Sequence, residues 1–401
     1  MQMIQKGTSS FKHNQMVLIA SGGGIPDKIT IKRVENKKMM KQFIMLPWTL
    51  KIYENDPAWI PPLISDQKKM FNRKKGYFFE VGEAEFFMAF KNGTPVGRLT
   101  AQVNHMYEKK YDMETGFFGF FESTNDPEVA GALFDAAQGW LKEKGKTRVE
   151  GPHSFSIYDA VGFEVKGEDV MPVVGLFHLA PYYRELAEAC GFTKCIDWHC
   201  FLVKKIDDYK PYLKDIRENI MKNLDVEFKY YDKKDFNRRI KEIHEIFNTA
   251  WDGNWGHLNL TKKQVDMFLG ELKMVVVPEL AIFAEKDGKT VGFIISIPDI
   301  NPGLRKLNGR LYPWRLIGLL KSIKKTKKIR TIIMGVLPEY RGQKIDDVFY
   351  LLTIENGIRL GYTESDCSLI VETNKKMISA LSPLKAEIYK TYRIYEKRIT
   401  P

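Results

Sequence analysis

The sequence predicts an α/β chain that builds one plan twice, and two observations carry this. The first is a repeated hairpin. Residues 85–97 and 280–292 each read as a strand, a tight Asn-Gly or Asp-Gly turn, and a second strand. Both central positions of such a turn take positive φ, which Asn, Asp and Gly tolerate better than other residues. The second is the order that follows each hairpin: strand, helix, strand. It spans 116–121, 129–144 and 147–150 in the first copy, and 331–336, 346–359 and 367–372 in the second. Gly145 and Gly361 stand just past the two helices, where a left-handed residue ends a helix.

Upstream of each hairpin, 37–53 and 234–249 have the apolar spacing of an amphipathic helix. The seam between copies falls in a charged stretch around Pro211. The expected organisation is a flexible tail over 1–27, a first domain over 28–203, a linker over 204–222 and a second domain over 223–401. A chain of 401 residues accommodates two such domains.

No apolar stretch approaches the ~20 residues that span a bilayer. The run from Met16 to Ala20 lacks a charged start and a cleavage site, so it reads as tail rather than signal peptide. Gly22, Gly23 and Gly24 lack the spacing of a dinucleotide fingerprint and belong to the same tail. Cys190, Cys195, Cys200 and Cys367 form no C-x-x-C pair, which argues against a disulfide framework or a zinc site. A reducing cytoplasm and no metal are the expectations. The net charge of +12 favours anionic cofactors, nucleic acid or an anionic membrane face.

The most informative stretch is 331–347. An apolar strand rich in Ile and Val ends at Pro338, a short loop carries Arg341, Gly342, Gln343 and Lys344, and Asp346 and Asp347 open a helix. Strand, loop and helix N-terminus present backbone N–H groups to phosphate, and Arg341 and Lys344 add cationic donors. This reads as a pyrophosphate cradle.

These residues resemble the acyl-CoA site of the GNAT superfamily, the acyl-CoA-dependent N-acyltransferases. That family's signature is Q/R-x-x-G-x-G/A after a strand ending V-x-P. Here Val336, Leu337 and Pro338 precede Arg341-Gly342-Gln343-Lys344-Ile345-Asp346. Lys344 and Asp346 depart from the family's small residues. The hairpin followed by strand–helix–strand is also the GNAT order, and the closing segment 181–192 resembles the family's last helix, which ends at Gly-Phe. The resemblance therefore covers nearly the whole chain as a tandem pair.

The resemblance implies two GNAT-like domains, each a mixed, mostly antiparallel sheet flanked by helices. It implies acetyl-CoA or another acyl-CoA as co-substrate, held by Gly335, Val336, Leu337, Arg341, Gly342, Gln343, Lys344, Ile345, Asp346 and Asn374. A backbone N–H within 335–337 would polarise the thioester, and a small-molecule or peptide amine would attack it directly. Glu372, at the end of the next strand, is the candidate base; its other reading is a solvated strand end or an ion pair. Asn374 is equally a helix N-cap. The family tyrosine that protonates the leaving thiolate is replaced by Leu381. Tyr389 and Tyr392 are the substitutes, although their alternating setting also reads as a final strand. Trp251, Trp255 and His257 are candidates for the acceptor pocket or for core. His153, His178 and His199 read as ordinary.

The first copy has 122–128 where the phosphate loop should be, with three carboxylates, no glycine and no basic residue. It is expected to be non-catalytic. Residues 301–330 form a basic insertion with Leu311, Trp314, Ile317, Leu320 and Ile323 at helical spacing. Three readings are open: a solvated helix that attracts CoA, contact of 305–330 with an anionic membrane, and nucleic-acid contact, the weakest of the three. The function expected is N-acyl transfer. The alternatives are a degenerate GNAT-fold binding protein and an aminoacyl-tRNA-dependent tandem transferase.

Overall fold

The computed structural model describes residues 14–18, 28–204, 207 and 209–400. The first half runs β1 (Asn14–Leu18), β2 (Lys28–Arg33), α1 (Lys37–Thr49), α2 (Ile64–Met70), β3 (Gly82–Lys91), β4 (Thr94–Asn104), α3 (His105–Lys110), β5 (Thr115–Ser123), α4 (Pro127–Glu143), β6 (Arg148–Gly151), β7 (Phe163–Lys166), α5 (Tyr183–Ala189) and β8 (Thr193–Val203). The second half runs α6 (Lys210–Asp215), β9 (Glu227–Tyr230), α7 (Phe236–Ala250), α8 (Lys262–Leu272), β10 (Ala281–Lys286), β11 (Lys289–Pro298), α9 (Asn301–Leu307), α10 (Pro313–Lys325), β12 (Lys328–Val336), α11 (Ile345–Arg359), β13 (Glu364–Val371), α12 (Lys375–Leu381) and β14 (Glu387–Arg398).

The two hairpins form as their turns dictate. Asn92 and Gly93 have φ of 52° and 84°, and Asp287 and Gly288 have 50° and 74°. Several of the helices start where the chain offers an acceptor. Asn36 takes the N–H of Met39 at the head of α1, and Asp126 takes that of Glu128 at the head of α4. Gly145 and Gly361 take φ of 75° and 88° after α4 and α11.

All strands join one mixed, mostly antiparallel sheet in the order β1-β2-β3-β4-β5-β6-β14-β8-β13-β12-β11-β10-β9, with β7 on β14. The final strand of each half is exchanged. β14 lies antiparallel to β6 of the first half, and β8 lies antiparallel to β13 of the second. The exchanged strands pair with each other from Glu387↔Leu202 to Glu396↔Thr193. The sheet thus switches between halves three times across its middle, along β6-β14-β8-β13.

Two stretches differ from the sequence reading. Asn14–Leu18, expected inside a flexible tail, pairs with β2 as an edge strand; Gly22, Gly23 and Gly24 lie outside the described residues. The expected linker holds α6 and a following π-turn, Ile216–Ile220, which bury Tyr209, Leu213 and Ile216 in the second half's core. Their helical spacing is diluted by lysines and glutamates, so charge masks an apolar face.

Candidate functional site

The parallel pairing of β12 with β13 runs from Lys328↔Glu364 to Thr331↔Cys367 and then stops. β12 continues beside β11 to Val336↔Gly292, while β13 continues beside β8 to Val371↔Trp198. The two strands therefore splay in mid-sheet. Ile332, Ile333, Met334 and Val336 remain only partly buried although their strand is central. An apolar groove with unpaired backbone groups follows from this geometry. Trp251, at the C-terminus of α7, donates its indole N–H to Met334 O at 2.9 Å, filling one unpaired position. Gly335 lies under α7; a Cβ there would come within 3.2 Å of Ile246 and 3.4 Å of Ala250.

The loop above the groove keeps a tight left-handed path. Leu337 N–H bonds to Val291 O at 2.9 Å, Gly342 has φ of 79°, and Lys344 has φ of 67° and ψ of 21°. Lys344 is the cap residue of α11, and its side chain cannot accept the first-turn N–H groups. Position 344 is left-handed, a conformation that favours glycine, so the departure from the family motif changes the side chain and not the path. Arg341, Gly342, Gln343 and Lys344 are exposed, whereas Ile345 is buried in the core. Arg341 turns back onto Ala250 O (2.5 Å) and Val336 O (3.4 Å), and Lys344 lies 3.3 Å from Asp347. Burial, and then Asp347 beside it, raises the Asp346 carboxyl above its ordinary range.

No protein-family model matches the chain. Protein YghO of Escherichia coli is 33% identical over 373 residues, covering 91% of this chain and 94% of that protein. A bacterial ceramide synthase of Caulobacter vibrioides is 29% identical over 379 residues, covering 92% and 98%. Among solved structures, a tandem GNAT protein from the clavulanic acid biosynthesis pathway superposes with a TM-score of 0.51 and 11% identity, over 93% of this chain and 99% of that one. The chain is a tandem GNAT-fold protein of the YghO family.

Within this tandem GNAT frame, Asn374 caps α12 through Met377 N–H at 3.1 Å and donates to Asn254 Oδ1 at 3.2 Å. It ties the Trp251–His257 loop to the end of β13. Leu381 is buried in the second half's core. Glu372 accepts from Lys194 at 2.9 Å and from Asp197 N–H at 3.1 Å, so both oxygens hold β13 against β8. Tyr389 donates to the buried Asp366 at 2.8 Å, and Tyr392 to Phe177 O at 2.7 Å. Burial raises both hydroxyls well above their ordinary range. The structure thus brings 335–337, 341–346, Trp251 and Asn374 together, and it places Tyr389 and Tyr392 in a separate buried network. His257 is enclosed, with Nδ1 2.5 Å from Tyr158 Oη and Nε2 3.3 Å from Asn259. Burial lowers its pKa.

His153, read as ordinary in the sequence, lines a cavity of about 30 Å³ between the halves with Tyr107, Phe117, Tyr158, Trp255 and Asn259. Among the described residues its Nε2 has no hydrogen-bond partner, and neither has Trp198 Nε1. The Trp255 ring lies 6.4 Å from that of His153 and 6.1 Å from that of Trp198, whose backbone pairs with Val371 at the end of β13. Burial alone brings the His153 imidazole down to about 3, so it is neutral at pH 7. No local sequence signal marks His153, because its cavity is closed by Trp255 and Asn259 of the other half.

In the first half, β5 and β6 also separate after three parallel pairs, Thr115↔Arg148 to Phe117↔Glu150. Glu122 closes the position equivalent to the start of the 338–345 loop. It is buried, accepts from Tyr53 (2.9 Å) and Tyr183 (2.7 Å), and lies 3.5 Å from Arg98. Elsewhere Glu150, Cys195 and Glu396 bring metal-type donors within 4.8 Å of one another. Arg148 stands 3.2 Å from Glu150 and 3.5 Å from Glu396, supplying the positive charge there.

Proposed function

We propose that the chain is an acyl-CoA-dependent N-acyltransferase whose second half carries the reaction. The observation that supports this most is the splay of β12 from β13 beneath an uncapped helix N-terminus. A groove with apolar walls suits an acyl-pantetheine arm, and the loop from Arg341 to Asp346 suits its pyrophosphate. The pyrophosphate would lie against α11, with Arg341 and Lys344 turning toward it. Acetyl-CoA and longer acyl-CoAs both fit this description.

The acceptor we propose is a long-chain amine. The relative described as a ceramide synthase supports this, since a ceramide is an amide of a long-chain amino alcohol. The cavity beside Trp255 and His153, about 30 Å³ with the orphaned His153 Nε2 in its wall, has room for one amine or hydroxyl group, and the alkyl chain would lie outside it. The amine nitrogen attacks the thioester carbon, the C–N bond forms and the C–S bond breaks. The amine proton passes to His153 or to Glu372, and the leaving sulfur is protonated as free CoA. Backbone N–H groups near 335–337 would steady the oxyanion.

The test is release of free thiol from acetyl-, octanoyl- and palmitoyl-CoA in the presence of a sphingoid amine, with amide formation followed by mass spectrometry. Amide formation from any of them supports the reading. CoA binding by calorimetry with no amide from any acceptor tried would support the degenerate binding protein, to which the buried Leu381 lends weight.

A further inference from the structure

We propose that α10 and its flanks seat the protein on an anionic phospholipid surface. The inference rests on this exposed face and not on the proposed reaction. α9 and α10 are inserted between β11 and β12. The inner side of α10 is used against α9: a Cβ on Gly303 would come 2.7 Å from Leu319 and 3.0 Å from Ser322. Its remaining apolar residues consequently face outward, and no residue of α10 is buried. Trp314, Ile317 and Leu320 are 69%, 60% and 59% exposed. They follow one another at intervals of three, the spacing of a helical stripe. Trp314 stacks on Tyr312 with ring centroids 4.9 Å apart, which fixes a flat aromatic pair at the N-terminal end of the stripe.

Charge identifies the occupant. From residue 300 to 338 there is no acidic side chain, whereas Arg310, Arg315, Lys321, Lys324 and Lys325 surround the stripe. A second copy of the chain would bring two such faces together, and their like charges would repel. Nucleic acid would meet the charges but leave Ile317 and Leu320 without a partner. An anionic lipid surface matches both features: acyl chains take the stripe, headgroup phosphates take the lysines, and Trp314 suits the boundary. α10 has 13 residues, so it is about 20 Å long and lies in the interface rather than crossing it. No helix among the described residues is long and apolar enough to cross a membrane.

The experiment is co-sedimentation of the full chain with vesicles of phosphatidylcholine alone or with 30% phosphatidylglycerol, without CoA or acceptor. The full chain is expected to pellet with the anionic vesicles, at least tenfold more than with neutral ones, and less at high salt. Ile317→Glu with Leu320→Glu should abolish pelleting. Both sites are exposed, so the thermal midpoint should not move; a fallen midpoint would move the test to Lys321→Ser with Lys324→Ser, which should weaken pelleting at least severalfold. Equal pelleting of the variants and the unaltered chain overturns the proposal, as does failure of the unaltered chain to bind. A dimer seen by light scattering that the glutamates dissociate, without vesicle binding, would assign the face to self-association instead.

Discussion

Lys390 of β14 is ion-paired with Glu164 of β7, and both side chains are buried. The ammonium also bonds to Gly167 O at 2.5 Å. The pair joins the last strand of the second half to the first half. Glu164 also lies 2.8 Å from His178, so removing Lys390 leaves the buried carboxylate with one of its two cationic partners, which costs more than removing both charges of the pair. Lys390→Met should destabilise the chain by about 3 kcal/mol, and Lys390→Met with Glu164→Gln should recover most of that loss. Urea denaturation of the two variants measures this. Equal stability of the single variant and the unaltered chain would show that the pair does not secure β14.

Residues 222–401 expressed alone are expected to be insoluble or molten. Their β13 lacks β8, and their β14 lacks both β6 and β8, so long strand edges stay open. Co-expression with 1–221 should restore soluble material as a complex. A cooperative thermal transition from 222–401 by itself would mean that the exchange is dispensable.

Charge reversal in the loop, Arg341→Glu with Lys344→Glu, should weaken acyl-CoA binding by several-fold to a hundredfold, at about 1–2 kcal/mol per charge-assisted contact. Lys344→Gly with Asp346→Ala should relieve the left-handed backbone and remove the repelling carboxylate, leaving binding intact or better. The raised Asp346 carboxyl sets a pH trend: as pH falls through its pKa the charge beside the bound phosphates disappears, so affinity should rise toward acid. Asp346→Asn should remove that trend. Calorimetry across pH, reading one site per chain, checks all three; two CoA equivalents would show that the first half binds as well.

Two variants separate the candidate proton acceptors. Glu372→Gln should lower kcat about 10²-fold with CoA affinity unchanged if that carboxylate is the base. If its role is the contact with Lys194, turnover should persist and stability should change by less than about 1 kcal/mol. His153→Asn should show the converse pattern. Loss of turnover in neither variant would mean that the amine arrives neutral.

Acid stability offers a separate check on His153. Its folded pKa is about 3 and its unfolded value is near 6.5, so the unfolded chain binds the extra proton first. The contribution of a neutral, buried imidazole is present above pH 6.5 and is lost progressively as pH falls toward 3. His153→Asn should flatten the stability profile in that window. An unchanged slope in urea titrations at pH 4 and 6 would place His153 in contact with solvent.

The hairpins and the helices were legible because their signals are local: Asn92-Gly93, Asp287-Gly288, Gly145 and Gly361 each demand a backbone conformation of their own. The turn over 341–344 was legible for the same reason, and even the lysine at 344 adopts the path its neighbours require. The strand exchange was not legible. The alternating pattern around Tyr389 and Tyr392 reads as a final strand, but no property of it or of 193–203 says which half each will join, since both possible neighbours offer the same hydrogen-bonding edge. Glu372, Tyr389 and Tyr392 acquire their partners through that exchange, so Lys194, Asp366 and Phe177 could not be named beforehand. His153 and Trp255 meet only when the halves close.

The placement of β14 also sets an order of events during synthesis. The first half emerges from the ribosome with one edge of β6 unsatisfied, and it keeps that edge until the last of the described strands has been made. Nearly two hundred residues of the second half must be translated in the meantime. A nascent chain in this condition is a natural client for chaperones that shield strand edges. Loss of residues 390–398 would damage not only the half to which they belong but both.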